Sequence, residues 1–345
     1  MQLPQDLLDA DTALYSIHER LASSRHLNPL DEVEAHARFL ACGRASFHYA
    51  PLNDADELLR ACDAVRPPVD HPLGLEVAAA VEELRLSVLA LRDRTGVAFE
   101  RLGVAAGWFE SAEAPSGPPP PERKKDGDVL ALAAVLDAFR AALGARGFHR
   151  WRVEADPVMS ARVVVDSPRR LLRVNPRATI SPTDMVALVA HEVGVHVARA
   201  EAGAGQPLTL FSLGLAGSLV AEEGLALHAE AQACGLPVGA SDRLALLAAA
   251  ARRAREQGFS GVYRGLEPLV GPRNAWVTCL RLKRGLAEPE EPGVYAKDRV
   301  YWLGWCRVSA WLAAGRSTRT LWVGKVGLDH PVQSWLDAGW ITLPG

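Results

Sequence analysis

The chain has 345 residues, of which 49% are hydrophobic and 23% are charged, and its formal net charge is −3 at pH 7. These values are typical of globular proteins, and they exclude a disordered chain, a collagen-like repeat and a protein that binds nucleic acid through bulk positive charge. The basic side chains are 33 Arg and only 5 Lys, which indicates a GC-rich, bacterial genome.

The N-terminus and the cysteines predict a cytoplasmic protein, the absence of a long apolar stretch predicts no membrane partner, and the net charge predicts no nucleic-acid partner. Acidic residues occur early in the chain, where a signal peptide needs a basic start followed by an apolar stretch. No window reaches the roughly 18 uninterrupted apolar residues that a membrane-spanning helix needs. The five cysteines are far apart and include no CxxC pair, which argues against a disulfide framework and against a thiolate zinc site.

Residues 1–112 are predicted to form a helical N-terminal region. Apolar residues recur at three- and four-residue spacing over residues 7–22, 31–40 and, most clearly, 75–92. Residues 113–128 follow, with four consecutive prolines that forbid a helix and favour an extended loop or linker. This stretch is either a linker between two domains or a surface loop within one unit.

Residues 129–345 combine one short β region with several helices. An Ala/Leu-rich helix over residues 129–143 precedes β segments at 151–156 and 159–174, the second of which is a predicted hairpin. Ser181 is a good N-cap residue for a helix that runs to about residue 200, and further helices are predicted over residues 207–234, 242–257, 273–285 and 298–314. The predicted fold class is therefore α+β, mostly α-helical, with one small β-sheet.

The helix that starts near Ser181 carries the motif HEVGVH, from His191 through Glu192 to His196. Imidazole nitrogens bind zinc well, and a carboxylate beside the metal can take a proton from water. The two histidines are five residues apart, which places them about 140° apart on a regular α-helix, too far for one ion. A metal site therefore requires a π-bulge or an underwound turn at residues 193–195, which Gly194 would ease. The alternative is two unrelated histidines, one of them buried and the other at the surface.

A third ligand can come from the next helix, where residues 221–230 read AEEGLALHAE. A carboxylate inside an apolar helix is costly to bury unless it is paired or bound to a cation. Glu222 and Glu223 are adjacent, so at most one of them can point to the metal. The alternative is that both face the solvent.

These motifs resemble those of the QEGLA-motif family, which includes the microtubule-associated tyrosine carboxypeptidases. The resemblance rests on HEVGVH, on GQP at residues 205–207 and on EEGLA at residues 222–226, and it extends to NPLDEVEAHARFL and FHYAPL near the N-terminus and to YAKDRVYWLG at residues 295–304. Because the resemblance covers nearly the whole chain, it implies that residues 113–128 are a loop within one catalytic unit.

The resemblance assigns roles to individual residues. It implies that His191, His196 and Glu223 bind Zn²⁺ and that Glu192 is the catalytic glutamate. Glu222 stands where the family usually has Gln, a departure that adds a negative charge near the metal.

The resemblance also places Lys297 and Tyr301 in the active site. Lys297 suits the terminal carboxylate of a peptide and Tyr301 the developing oxyanion, and the two share a face if their helix already includes Lys297. A plain salt bridge and a packed tyrosine are the alternatives. Glu230 either orients a ligand histidine or lies at the surface, and His228 is predicted to be a core or supporting residue rather than a ligand.

The predicted function is that of a zinc-dependent carboxypeptidase whose substrate is the C-terminus of a peptide or protein, with an aromatic residue as one candidate for the residue removed. In this prediction Glu192 assists the attack of zinc-bound water. Two alternatives remain open at this point. One is a non-catalytic regulatory or binding module on a metalloprotease fold, and the other is a zinc hydrolase of a non-peptide amide.

Overall fold

The structure is a computed structural model that describes residues 3–21, 23–112, 128–235 and 242–344. The N-terminal region is helical, as the apolar spacing predicts. Its helices are α1 (Gln5–Arg20), α2 (Ser23–Leu27), α3 (Glu32–Cys42), α4 (Ala55–Ala64), α5 (Pro72–Asp93) and α6 (Gly96–Ala105). In α5 the His71 side chain accepts a hydrogen bond from the Leu73 amide and Pro72 occupies the first helical position, so the helix begins three residues before the predicted start at residue 75.

A small mixed sheet follows α7 (Leu132–Ala145). Its strands are β1 (Arg152–Ala155), β2 (Val163–Asp166) and β3 (Leu171–Val174), in the order β1-β3-β2. The antiparallel pairing of β2 with β3 confirms the predicted hairpin, whereas β1 pairs parallel with β3. The mostly helical α+β class is therefore confirmed.

The helix after the sheet starts at the predicted residue. The Ser181 hydroxyl accepts a hydrogen bond from the Asp184 amide, and the Asp184 carboxylate accepts one from the Ser181 amide, which together form a capping box. From this cap the chain runs through α8 (Pro182–Leu188), a π-helix (Val189–Val197) and α9 (Ala198–Ala204).

The prediction of one helix over residues 207–234 is wrong. The structure has a short α10 (Leu210–Leu213), a turn, and then α11 (Leu219–Ala233). Gly214 and Gly217 adopt φ values of 119° and 72°, which a right-handed helix cannot contain, so the chain breaks between them. The break orients α11 independently of α10.

The remaining helices agree with the prediction within a few residues, apart from α13 and α16, which the sequence patterns did not indicate. They are α12 (Asp242–Glu256), α13 (Phe259–Val270), α14 (Pro272–Lys283), α15 (Arg299–Ala313) and α16 (Val332–Asp337). The side-chain amide of Gln206, in the GQP motif, accepts a hydrogen bond from the Thr342 main-chain amide and donates to the carbonyls of Thr342 and Val323. This motif residue therefore attaches the C-terminal segment to the end of α9.

Buried apolar side chains form two clusters. The smaller one lies between the sheet, α7, α8 and the π-helix, and the larger one combines side chains of the N-terminal helices α1 to α6 with side chains of α10 to α16. Phe39 of α3 packs on Trp276 of α14 with ring centroids 5.3 Å apart, and Phe99 of α6 packs on Tyr295 at 5.7 Å. The N-terminal helices thus share a core with the C-terminal ones. The division at residues 112 and 129 stays a prediction, and residues 113–127 lie outside the described residues.

In the part of the chain that the structure describes, every helix is too short or too polar to cross a bilayer.

Candidate metal centre

His191 and His196 lie on the π-helix Val189–Val197. A π-helix closes its hydrogen bonds from residue i to residue i+5, so residues five apart return to the same face. The two imidazole rings face each other with centroids 4.7 Å apart. The predicted distortion of the helix is therefore confirmed, and it spans nine residues rather than the three expected. A Cβ on Gly194 would meet only ordinary contacts of 3.6 Å or more, so no close contact requires glycine there.

Glu223 of α11 completes a cluster of three possible ligands. Its Oε2 atom lies 3.3 Å from Nε2 of His191 and 3.7 Å from Nε2 of His196. One ligand atom from each of the three residues lies within 4.8 Å of the other two. Glu223 Oε2 is buried and accepts no hydrogen bond from the described residues. Two imidazole nitrogens and a buried carboxylate oxygen without a donor are a donor set that fits a zinc ion.

The second nitrogen of each imidazole contacts a different carboxylate. Nδ1 of His191 lies 2.6 Å from Oε1 of Glu230, and Nδ1 of His196 lies 2.8 Å from Oε1 of Glu222. A carboxylate at Nδ1 holds the proton there, which leaves the Nε2 lone pair free to bind a metal. Of the two alternatives for Glu230, the structure supports the orienting role. Glu222 and Glu223 do not face the solvent, because they are only 3% and 5% exposed.

The charges of this cluster shift its pKa values strongly. Burial by itself lowers the pKa of His191, but the nearby carboxylates of Glu192, Glu223 and Glu230 raise it well above its usual value. Burial raises the pKa of Glu223, but His196 and His191 hold it well below its usual value. The pocket therefore stabilises positive charge between these side chains, and a bound cation would take the place of the imidazole protons.

Glu192 and Tyr301 lie beside the cluster. Glu192 is buried next to His191, and its charge acts on both His191 and Tyr301. Burial, together with the charge of Glu223, raises the pKa of the Tyr301 phenol. Tyr301 therefore keeps its proton at neutral pH and can donate a hydrogen bond.

Lys297 lies in a 3-10 turn (Ala296–Asp298) that precedes α15. The α-helix begins at Arg299, so the condition under which Lys297 and Tyr301 share a helical face is not met. The ammonium of Lys297 acts on the carboxylates of Glu83 and Asp298. No contact in the described part of the chain joins Lys297 to the three possible ligands, and its role stays a prediction.

A family model described as microtubule-associated tyrosine carboxypeptidase matches residues 104–344. The chain belongs to this family. The matched range contains the π-helix, α11, the 3-10 turn with Lys297 and α15, and hence every candidate site residue. The early segments that carry part of the resemblance, residues 28–40 and 47–52, lie outside it. The family is one of peptidases of the carboxypeptidase type. No curated protein matches the chain.

His228, which lies on α11 with Glu223, is not part of the cluster of three possible ligands. Its Nε2 atom lies 3.1 Å from the Ser309 hydroxyl of α15. This contact agrees with the prediction that His228 is a supporting residue in the packing of the two helices.

Three basic residues near the site of this family member were not indicated by the sequence motifs. Arg199 and Lys325 both contact Glu222. Arg281 makes a two-point ion pair with Asp298 at 2.6 and 2.9 Å, and its charge acts on the Tyr301 phenol. The sequence does contain a signal for Arg199. It lies three residues after His196 in an apolar helix, and a cation that is buried there needs a carboxylate partner. Lys325 and Arg281 come from distant segments, and no local pattern indicates them.

Proposed function

We propose that the protein is a zinc-dependent carboxypeptidase that removes a residue from the free C-terminus of a peptide or protein. The observation that carries the proposal is the cluster of His191, His196 and Glu223, in which the two Nε2 atoms and a carboxylate oxygen converge. Residues of this type hold zinc in metallopeptidases. Membership of a carboxypeptidase family supports cleavage at the end of a chain.

A catalytic zinc site has three protein ligands and an open position, whereas a structural site is closed by a fourth protein ligand. Among the described residues, the possible ligands gathered at this point are three in number. This count favours the catalytic proposal over the non-catalytic module.

Each polar residue beside the cluster has a distinct task in the proposed reaction. Zinc bound by the three ligands would supply an activated water and polarise the scissile carbonyl. Glu192 takes a proton from the attacking water and passes it to the leaving amine. Tyr301 donates a hydrogen bond to the oxyanion as it develops, because its phenol stays protonated.

Substrate selection follows from the same proposal. Lys297 pairs with the terminal carboxylate, which would restrict cleavage to free C-termini. The residue removed is aromatic, as the description of the family suggests. A small peptide is the substrate class that we propose for this chain.

A peptide library tests the proposal. The full chain is stripped of metal, reloaded with zinc and incubated with peptides that end in each of the twenty residues, and the products are identified by mass spectrometry. We expect products one residue shorter than the substrates, with the highest rate for aromatic ends, only in the presence of metal. The matched control is the same library with amidated C-termini, which should stay intact.

Equal cleavage of free and amidated peptides would instead indicate an endopeptidase. If zinc binds and no peptide is cleaved, the non-catalytic module and the hydrolase of a non-peptide amide become the better explanations.

A further inference from the structure

Glu222 joins the cluster of possible ligands to one buried and one partly buried cation. Its Oε1 atom lies 2.8 Å from Nδ1 of His196 and 3.3 Å from Nζ of Lys325, and its Oε2 atom accepts a hydrogen bond from Arg199. The carboxylate is 3% exposed and Arg199 is fully buried. One carboxylate therefore contacts a proposed ligand and two basic side chains at once.

Arg199 is held in place by the backbone as well as by Glu222. Its Nε donates to the carbonyls of Leu321 and Gly324 at 3.0 Å, and its Nη2 donates to the carbonyl of Val326 at 2.6 Å. A guanidinium does not lose its proton in a protein. The positive charge of Arg199 thus stays close to His196 whether or not Glu222 carries a charge.

Lys325 is anchored in a similar way. Its Nζ donates to the Ser167 hydroxyl at 2.9 Å, and its main-chain amide donates to the Phe211 carbonyl at 2.7 Å. With Glu222 ionised, the group of Glu222, Arg199 and Lys325 has one net positive charge. Without that carboxylate it would have two, close to the point where a divalent cation is to bind. Charges at this separation interact strongly where water is excluded.

We propose that Glu222 is a positioning residue that sets the affinity of the metal site in two ways. It accepts the Nδ1 hydrogen of His196, and it neutralises one of two fixed cations that would otherwise repel the metal. This inference rests on the metal site proposed above.

Charge-changing variants of the full chain test the second effect, the neutralisation of a fixed cation. Glu222→Gln keeps an oxygen that can accept from His196, but it removes the negative charge and the acceptor for Arg199. We expect it to weaken zinc binding about 10- to 100-fold, the range typical of changes to residues that support a metal ligand, because Arg199 and Lys325 then place two uncompensated positive charges beside the site. Lys325→Met alone should tighten zinc binding, and the double variant should return close to the wild-type affinity. The zinc dissociation constant is measured by competition with a chelator, which needs no enzymatic activity.

The control variant is Glu201→Gln. Glu201 accepts hydrogen bonds from Trp151 and Arg170 and contacts neither histidine, so its neutralisation should leave zinc affinity unchanged. A purely structural role for Glu222 would predict no recovery when Lys325→Met is added. A double variant as weak as Glu222→Gln would therefore overturn the proposal, as would a Glu222→Gln variant with wild-type affinity.

If Glu222→Gln does not fold, the zinc affinity of Lys325→Met tests the proposal on its own. A zinc affinity of Lys325→Met that is equal to or weaker than that of the wild type contradicts the proposal. A wild-type chain that binds no zinc would reject the proposed function and this inference together. Zinc binding by the wild type with unaltered affinity in all variants would reject only the role of Glu222.

Discussion

Gly224 of α11 packs directly against Gly304 of α15. A Cβ atom on Gly224 would lie 2.3 Å from the Gly304 carbonyl oxygen, and a Cβ atom on Gly304 would lie 2.3 Å from the Val220 carbonyl oxygen. The two helices therefore meet backbone to backbone. Because Glu223 precedes Gly224 and Tyr301 lies one turn before Gly304, this contact brings the proposed third ligand and the phenol together.

Replacement of Gly224 by Ala should separate α11 from α15. The added methyl group has no space, so we expect a loss of stability of about 1–3 kcal/mol, as for overpacked cores, together with reduced activity. Urea denaturation and peptidase assays measure the two effects. Gly144→Ala is the control, because a Cβ there meets nothing within 4 Å and should leave stability unchanged or slightly raised. Equal stability of the two variants would contradict the close packing.

Glu192→Gln and His196→Ala should lose activity for different reasons. Glu192→Gln keeps the three proposed ligands and removes the base, so zinc content should be unchanged and hydrolysis abolished. His196→Ala removes a ligand, so elemental analysis should show less zinc per chain. A chelator should lower the melting temperature of the wild type and not that of His196→Ala, because bound metal stabilises the folded state by mass action.

The control for the ligand experiment is His228→Ala. His228 lies on α11 but contacts Ser309 rather than the cluster, so its replacement should leave the zinc content unchanged. Full zinc content in His196→Ala, or normal turnover by Glu192→Gln, would remove that residue from its proposed role.

Tyr301→Phe and Lys297→Met should affect different kinetic constants. Loss of an oxyanion donor lowers kcat by about 100-fold or more, so Tyr301→Phe should act on kcat with zinc content unchanged. Lys297 is proposed to bind the ground-state carboxylate, so Lys297→Met should act mainly on KM. Steady-state kinetics on one peptide with a free C-terminus measure both. A Lys297→Met variant with wild-type kinetics would leave that residue as a partner of Glu83 and Asp298 alone.

Lys283 should make stability depend on pH. Its buried ammonium donates to the carbonyls of Ala254, Gln257, Glu291 and Gly293, at 2.6 to 3.0 Å. Burial lowers its pKa to about 8, whereas an unfolded lysine titrates near 10.5. Between these values the unfolded chain binds more protons than the folded one, so the contribution of Lys283 to the free energy of unfolding rises with pH.

The measurement is urea denaturation of the wild type and of Lys283→Met between about pH 7 and pH 10. Other groups that titrate in this range are common to both chains, so the difference between the two free energies reports on Lys283. We expect the free energy of unfolding of the wild type to increase relative to that of the variant as the pH rises above about 8. A difference that stays constant or falls would contradict the lowered pKa.

Much of the site was predictable from the sequence because local patterns have local physical consequences. Two histidines five residues apart can bind one ion only if the helix between them is distorted, so the spacing alone predicts the kind of distortion that the π-helix provides. The capping signals at Ser181 and the hairpin of β2 and β3 depend on neighbouring residues in the same way. The break between α10 and α11 was not predicted, because a glycine signals the freedom to adopt positive φ without showing whether the fold uses it.

The partners of the buried charges were decided only by the tertiary structure. The residue pattern left open which carboxylate of the adjacent pair Glu222 and Glu223 faces the two histidines, and only the family resemblance implied Glu223. The choice depends on the rotation of α11 about its axis, which packing against α15 determines. Arg199, Lys325 and Arg281 act on the site from other segments of the chain. A buried ion pair gains its energy from proximity in space, and no repeat or spacing in the sequence records that proximity.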